Sequence, residues 1–224
     1  MAIFISLLHI KVSTKRSINY KVTVKKIPLY LKTSGFLHRH FAYKQLLKEI
    51  LKNDQTDKEK VLAIFEWTHK NVRKVPEDFP VIDDHILNII TQGYGTSDQS
   101  ADIFCLLCEY AGFPAAWAII SPESSGNRLA VSLVELNGKK RLFDTYCGNY
   151  FFNQKGEIAT VNDIIYHPEL INQARNRPII GGIEYKKYFE GLKYLCDKDL
   201  WKRGKTQMPM YRLMYEAKKL LKIE

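Results

Sequence analysis

The sequence predicts an α+β protein, and three observations in the middle of the chain support this class. Apolar side chains recur at helical spacing from Ala101 to Ala111. Gly112 and Pro114 end that helix, and the apolar run AAWAII after them predicts a strand buried on both faces. Two further strands, LAVSLVEL and KRLFDTY, flank an Asn-Gly pair, which is a strong hairpin signal. The sequence therefore predicts one buried helix followed by strands that pair with each other.

The start of this helix is the strongest candidate for a functional position. A turn at Gly93, Tyr94 and Gly95 is followed by three candidate N-caps, Thr96, Ser97 and Asp98. A helix N-terminus has unpaired N–H groups and about half a positive charge, so it stabilises a thiolate or an oxyanion placed there. The turn delivers Ser97 to such a place.

The stretch from residue 93 to 115 resembles the core motif of the transglutaminase-like superfamily, roughly G-x-G-x-C-x-x-x-A and then a buried helix ending in G-[IF]-P-A. The matching positions are Gly93, Gly95, Ala101, Gly112, Phe113, Pro114 and Ala115. Asp98 and Gln99 follow the nucleophile position as they do in bacterial members. The resemblance covers about residues 56 to 165. It implies a papain-like α+β core in which the helix at the nucleophile position packs on a small antiparallel sheet.

A second family motif has a His that opens a strand, a hairpin glycine and an Asp that ends the next strand. Here these positions fall on Leu129, Gly138 and Asp144. At the positions of the Cys-His-Asp triad that the resemblance implies, this chain has Ser97, Leu129 and Asp144. Because a serine hydroxyl needs a general base and leucine cannot supply one, we expect a catalytically inactive domain. Its retained cleft is expected to bind a protein, peptide or glycan.

An active acyltransferase or amidohydrolase with a non-standard nucleophile or base is the alternative. Ser97 or Cys147 would then be the nucleophile, and His85 would be the base. Cys105 and Cys108 fit core positions of the helix better than a site.

The side chains expected to line the cleft are Tyr94, Asp98, Gln99, Tyr146 and His85. We expect Asp144 to be either partly exposed or bonded to backbone N–H groups or a tyrosine such as Tyr146, because an unpaired buried charge is unfavourable.

Charge is distributed unevenly along the chain, which has 34 Lys and Arg against 24 Asp and Glu. Residues 1–60 hold 13 basic and 4 acidic side chains, residues 61–183 hold 10 and 14, and residues 184–224 hold 11 and 6. The two basic flanks allow contact with a polyanion, so a polyanion-binding accessory protein is a second alternative. No specific nucleic-acid-binding motif is present.

No spacing in the sequence predicts a metal or an organic cofactor, and the four cysteines do not form a secreted disulfide pattern. The apolar N-terminal run MAIFISLLHI is too short to span a bilayer. We therefore predict a cytoplasmic protein without a transmembrane segment.

Three regions follow from these observations. The first, 1–52, is a basic N-terminal extension with a strand at KVTVKK and a helix from Phe36 to Leu51. The second, 53–166, is the transglutaminase-like core. It opens with a capping box at Thr56 and Glu59 and includes a loop at 75–84 that is expected to lie over the cleft. The third, 167–224, is a helical and basic C-terminal extension.

Overall fold

The computed structural model describes residues 10–18, 21–76, 79, 85–195, 204–205 and 207–221. The apolar segment 1–9, and all of the predicted cleft loop except residues 75, 76 and 79, lie outside the described residues.

The N-terminal region is a β-hairpin followed by a long helix. Strands β1 (Lys11–Ile18) and β2 (Lys21–Pro28) pair antiparallel, and helix α1 (Leu29–Ile50) continues directly from Pro28. The helix begins seven residues before the predicted start at Phe36. Its first turns were missed because Tyr30 and Leu31 are exposed, so they add no apolar stripe to the pattern.

Helix α2 (Asp57–Asn71) begins at the predicted capping box. Glu59 N–H donates to Thr56 Oγ1 and Thr56 N–H donates to the Glu59 carboxylate, which satisfies two N–H groups at the helix start. The core face of this helix and of the residue after it is buried: Val61, Ile64, Phe65, Thr68 and Val72.

A short segment leads from α2 to the central helix. Strand β3 (Arg73–Lys74) pairs parallel with β4 (Tyr94–Gly95), and helix α3 (Ile86–Gln92) lies between them in the chain. Gly93 ends α3 at a φ of 75°, a left-handed conformation that glycine adopts without a Cβ clash. Helix α4 (Ser97–Tyr110) follows, with Thr96 as its N-cap. The predicted N-terminus is therefore confirmed.

The main sheet has four antiparallel strands in the order β5–β6–β7–β8, formed by Ala115–Ile120, Leu129–Leu136, Lys139–Asp144 and Asn149–Tyr150. The predicted hairpin at Asn137 and Gly138 is confirmed, and both residues have positive φ. The strand AAWAII is confirmed as well, but Ile119 is 43% exposed, so its burial on both faces does not extend to that position.

The remaining chain adds short elements to one face of this sheet. These are α5 (Val161–Tyr166), a 3₁₀ helix (Pro168–Gln173), the strands β9 (Ile179–Ile180) and β10 (Ile183–Glu184), α6 (Tyr185–Tyr188), a second 3₁₀ helix (Phe189–Tyr194) and α7 (Pro209–Leu221). Helix α7 is the exception, since it packs against α1 and not on this face of the sheet. Glu216 of α7 forms an ion pair with Lys32 of α1.

Two hydrophobic clusters cover the two faces of the sheet. The first cluster lies between the sheet and helices α1, α2 and α4, and includes Phe65, Phe104, Trp117, Ala130 and Phe143. The second cluster lies between the sheet and the elements after β8, and includes Leu129, Val131, Leu142, Tyr185 and Phe189. Because successive residues of a strand point to opposite faces, the register decides which side chains can meet α4.

Candidate active site

Ser97 is the first residue of α4 and is half-buried. Its Oγ accepts a hydrogen bond of 3.3 Å from the backbone N–H of Ala130, the second residue of β6. Within the part of the chain that the structure describes, this is the one hydrogen bond of the Ser97 hydroxyl. The helix N-terminus thus meets the start of β6, as the resemblance implies, but through a backbone amide.

The register of the sheet places the other two triad positions on the far face. Ala130 and Phe143 belong to the first cluster, so their side chains lie on the face of the sheet that α4 covers. Leu129 lies in the second cluster with no exposed surface. Asp144 alternates with Phe143 and points to the same side as Leu129. The two positions therefore share one face of the sheet, and α4 covers the opposite face.

Asp144 is fully buried, and its carboxylate has hydrogen-bond donors on both oxygens. Cys147 N–H donates to Oδ1 at 3.0 Å, and the Tyr185 hydroxyl donates to Oδ2 at 2.7 Å. The expected backbone donor is present, but the tyrosine is Tyr185 of α6 and not the neighbouring Tyr146. Burial outweighs these bonds and raises the pKa of the Asp144 carboxyl above its ordinary value.

Cys147, the alternative nucleophile, is a buried thiol beside this carboxyl. Its exposed fraction is 1%, and burial together with the Asp144 charge raises the pKa of the thiol. A thiol with a raised pKa stays protonated and is a poor nucleophile. Cys105 and Cys108 are also buried, and burial raises the pKa of both thiols, as their core positions predict.

Three of the predicted cleft residues take part in helix capping. His85 is the N-cap of α3, where its Nδ1 accepts the Leu87 N–H at 3.3 Å. Gln99 accepts the Thr96 N–H at 3.1 Å, and Asp98 accepts the Thr96 hydroxyl. Helix capping therefore accounts for a histidine, an aspartate and a glutamine at positions 85, 98 and 99.

The two predicted tyrosines lie beside cations that the sequence reasoning did not single out. Arg73 lies over the ring of Tyr94 at 5.8 Å from its centroid, and Lys74 lies over the ring of Tyr146 at 4.9 Å. Phe79, 44% exposed, contacts Tyr94 with the ring centroids 5.7 Å apart. We call these five residues the cationic rim. The sequence feature that could have indicated this rim is the basic pair Arg73 and Lys74 after α2. Composition alone does not distinguish this pair from the other basic pairs in the chain.

His69 of α2 is a further residue that the sequence reasoning missed. Its Nδ1 lies 2.9 Å from the carbonyl of Thr145, and the hydroxyl of Thr145 accepts a bond of 3.1 Å from Ser100 Oγ, one turn after Ser97. Since a carbonyl only accepts, Nδ1 carries the proton. The imidazole thus joins α2 to the turn after β7.

The segment after the core holds the same turn from the other side. Asn176 Nδ2 donates to the carbonyl of Cys147 at 3.0 Å, and Asn149 Nδ2 donates to the carbonyl of Asn176 at 2.7 Å. The Asp144 turn is therefore held by His69, Asn176 and Tyr185. Two of these three lie more than 25 residues after it.

Residues 44–138 match the model of the transglutaminase-like superfamily. Over these residues the chain is similar to the transglutaminase-like superfamily, and its mixed helix-and-sheet fold is in agreement. No curated protein matches the sequence significantly.

Some solved structures are similar over part of the chain. A Cytophaga hutchinsonii protein described as a "Putative Cysteine Protease" is 19% identical, with 47% of this chain and 37% of that chain covered and a TM-score of 0.41. A "putative protease" from Parabacteroides distasonis is 13% identical over 59% and 35%, with a TM-score of 0.38. A structure described as "a TGase" is 14% identical over 59% and 43%, with a TM-score of 0.38. Each match spans less than half of the other protein.

The described residues form neither a metal-binding cluster nor a membrane-spanning helix. No group of three or more His, Cys, Asp or Glu side chains is arranged to hold a metal ion among them. No helix built from them is both long and apolar enough to cross a membrane.

Proposed function

We propose that this chain is a non-catalytic transglutaminase-like protein that uses the cleft at the N-terminus of α4 to bind an acidic peptide segment. One observation supports inactivity above the others: the Ser97 hydroxyl accepts the Ala130 backbone N–H, while Leu129 and Asp144 point to the other face of the sheet. Among the described residues, the Ser97 hydroxyl meets only this N–H donor, so none of them is placed to take its proton. Acyl transfer through Ser97 therefore lacks its first step.

The choice of ligand is supported by the cationic rim. Arg73 and Lys74 are exposed, and each has an aromatic ring beside it, so their charges are held at the surface. Their strand pairs with β4, which precedes α4 in the chain. Arginine and lysine bind carboxylates, and aromatic rings add contact area. A peptide with spaced acidic side chains satisfies both features.

Inactivity is tested by comparing the wild-type protein with Ser97→Ala. Glutamine-containing acyl-donor peptides are incubated with either protein, and hydrolysis and transfer to an amine are followed by mass spectrometry. We expect the two proteins to be indistinguishable from each other and from buffer. Product formed by wild type and lost in Ser97→Ala would refute inactivity.

Binding is tested separately with a fluorescent peptide rich in Glu and a matched peptide in which Lys replaces Glu. We expect the acidic peptide to bind and the double charge reversal Arg73→Glu with Lys74→Glu to weaken binding by about tenfold or more, as for hydrogen bonds between charged groups. Lys25→Glu with Lys26→Glu is the matched control, because it reverses the same number of charges at the N-terminal hairpin, outside the rim. Equal losses in the two double variants would contradict binding at the rim.

A further inference from the structure

The N-terminal hairpin is strongly basic. Residues 11–28 contain six Lys and Arg and no Asp or Glu. We call the paired strands β1 and β2 the basic ribbon. Its described lysines are Lys11, Lys15, Lys21, Lys25 and Lys26, and all five are exposed. This density of like charge is unfavourable unless a polyanion lies nearby.

The register spreads these lysines over the ribbon and over both of its faces. Lys15 opposes Val24, Lys21 opposes Ile18, and Lys25 and Lys26 oppose Thr14 and Ser13, so no lysine faces another across the strands. By strand alternation, Lys11, Lys15 and Lys26 share one face, and Lys21 and Lys25 share the other. Both faces therefore present positive charge.

The ribbon is fixed at its base and exposed beyond it. The Leu29 N–H donates to the Ile10 carbonyl at 2.8 Å, and Lys32 Nζ donates to the Ser13 carbonyl at 2.8 Å. Farther out, Val22 and Val24 are 59% and 62% exposed. A two-stranded hairpin has little stability by itself in water, so a partner that covers the outer part would stabilise it.

We propose that the basic ribbon binds duplex DNA by entering the major groove and contacting phosphates along both walls. Eight residues per strand make it about 26 Å long, and the major groove, about 12 Å wide, admits a two-stranded ribbon. Inside a groove, lysines on both faces meet phosphates. A flat anionic bilayer would meet only one face and leave the lysines of the other in solvent. This inference is independent of the peptide-binding cleft.

The test measures binding of the full-length protein to a labelled mixed-sequence DNA duplex by fluorescence anisotropy over a range of salt concentrations. With about four phosphates neutralised, affinity should fall roughly 10²-fold as salt rises from about 50 to about 200 mM. The triple variant Lys15→Glu, Lys25→Glu and Lys26→Glu should bind at least about tenfold more weakly, and its logarithmic salt slope should be smaller by about 2 to 3.

The matched control is Lys155→Glu with Lys186→Glu and Lys187→Glu, three exposed lysines away from the ribbon with the same charge change. It should retain most of the affinity. Equal losses in the two triple variants, or no DNA binding at low salt, would overturn the proposal. Stronger binding to phosphatidylserine vesicles or heparin than to DNA would also overturn it.

Discussion

The position of Asp144 at the end of a strand was predictable from the sequence, but its hydrogen-bond partner Tyr185 was not. A carboxylate that ends a buried strand needs donors, which made a backbone N–H one of the expected partners, and Cys147 provides it. The tyrosine that provides the other bond lies 41 residues later, on α6. No local pattern connects the two residues, since only the packing of the C-terminal segment on the sheet brings them together.

Removing the Tyr185 hydroxyl should leave this carboxylate short of a donor. We expect Tyr185→Phe to lower the free energy of unfolding by about 1–3 kcal/mol, because the partner left behind is buried. Urea denaturation gives the value. Tyr194→Phe is the control, since its hydroxyl bonds the exposed Glu123 at 3.0 Å, and it should change stability by less than about 0.5 kcal/mol. Similar effects of the two variants would contradict the account of Asp144.

The raised pKa of Asp144 predicts a pH dependence with a definite sign. A carboxyl whose folded pKa is raised contributes most to stability below its ordinary pKa of about 4, and that contribution is lost as pH rises through the folded pKa. Asp144→Asn has no such titration. The free energy of unfolding of Asp144→Asn minus that of wild type should therefore grow as pH is raised from about 4 to about 7. A difference that shrinks over this range would mean that the folded pKa is lowered.

At the level of elements, most boundaries follow from local signals. The capping box at Thr56 marks the start of α2, and the Asn137-Gly138 turn marks the ends of β6 and β7. Both signals are local and do not depend on tertiary contacts. The start of α1 and the exposure of Ile119 were missed, because both depend on which surfaces the rest of the chain covers.

The turn between β7 and β8 offers a test of element packing. Gly148 has a φ of 73°, and a Cβ there would lie 2.6 Å from Cε1 of His69. Gly156 also has a φ of 73°, but a Cβ there would have no neighbour within 4 Å. Both Ala variants share the strain of a positive φ, so their difference reports the His69 contact. We expect Gly148→Ala to be less stable than Gly156→Ala by about 1–3 kcal/mol in urea denaturation. Equal stabilities would contradict the position of His69.

At the level of the whole molecule, the sheet is covered on both faces, and the C-terminal segment forms the second cover. The sequence predicted a helical extension there, but it could not predict that this segment packs on Leu129 and bonds Asp144. That arrangement depends on contacts between residues far apart in the chain. Motif spacing alone aligned Ser97, Leu129 and Asp144 with the triad, and it could not predict that Leu129 and Asp144 lie on the face of the sheet away from α4.

Docking of the C-terminal segment can be tested at Gly191. A Cβ there would lie 2.5 Å from the carbonyl oxygen of Ser121, in the backbone after β5. Gly191→Ala should therefore push the second 3₁₀ helix from the sheet and lower the free energy of unfolding by about 1–3 kcal/mol. Gly126→Ala, where a Cβ has no neighbour within 4 Å, should have an effect below about 1 kcal/mol. A neutral Gly191→Ala would indicate that this helix is not packed on the sheet.

We infer that no base is paired with position 97, since among the described residues the Ser97 hydroxyl meets only the Ala130 N–H. The most direct measurement is the pH dependence of alkylation of Ser97→Cys by iodoacetamide, followed by mass spectrometry of the peptide containing position 97. Without an imidazole, the rate should rise in a single step with a midpoint at or above about pH 7, the helix N-terminus alone lowering the thiol pKa from its ordinary 8.5. A profile with two steps, already reactive near pH 5, would reveal a thiolate–imidazolium pair and would contradict the assignment of an inactive site.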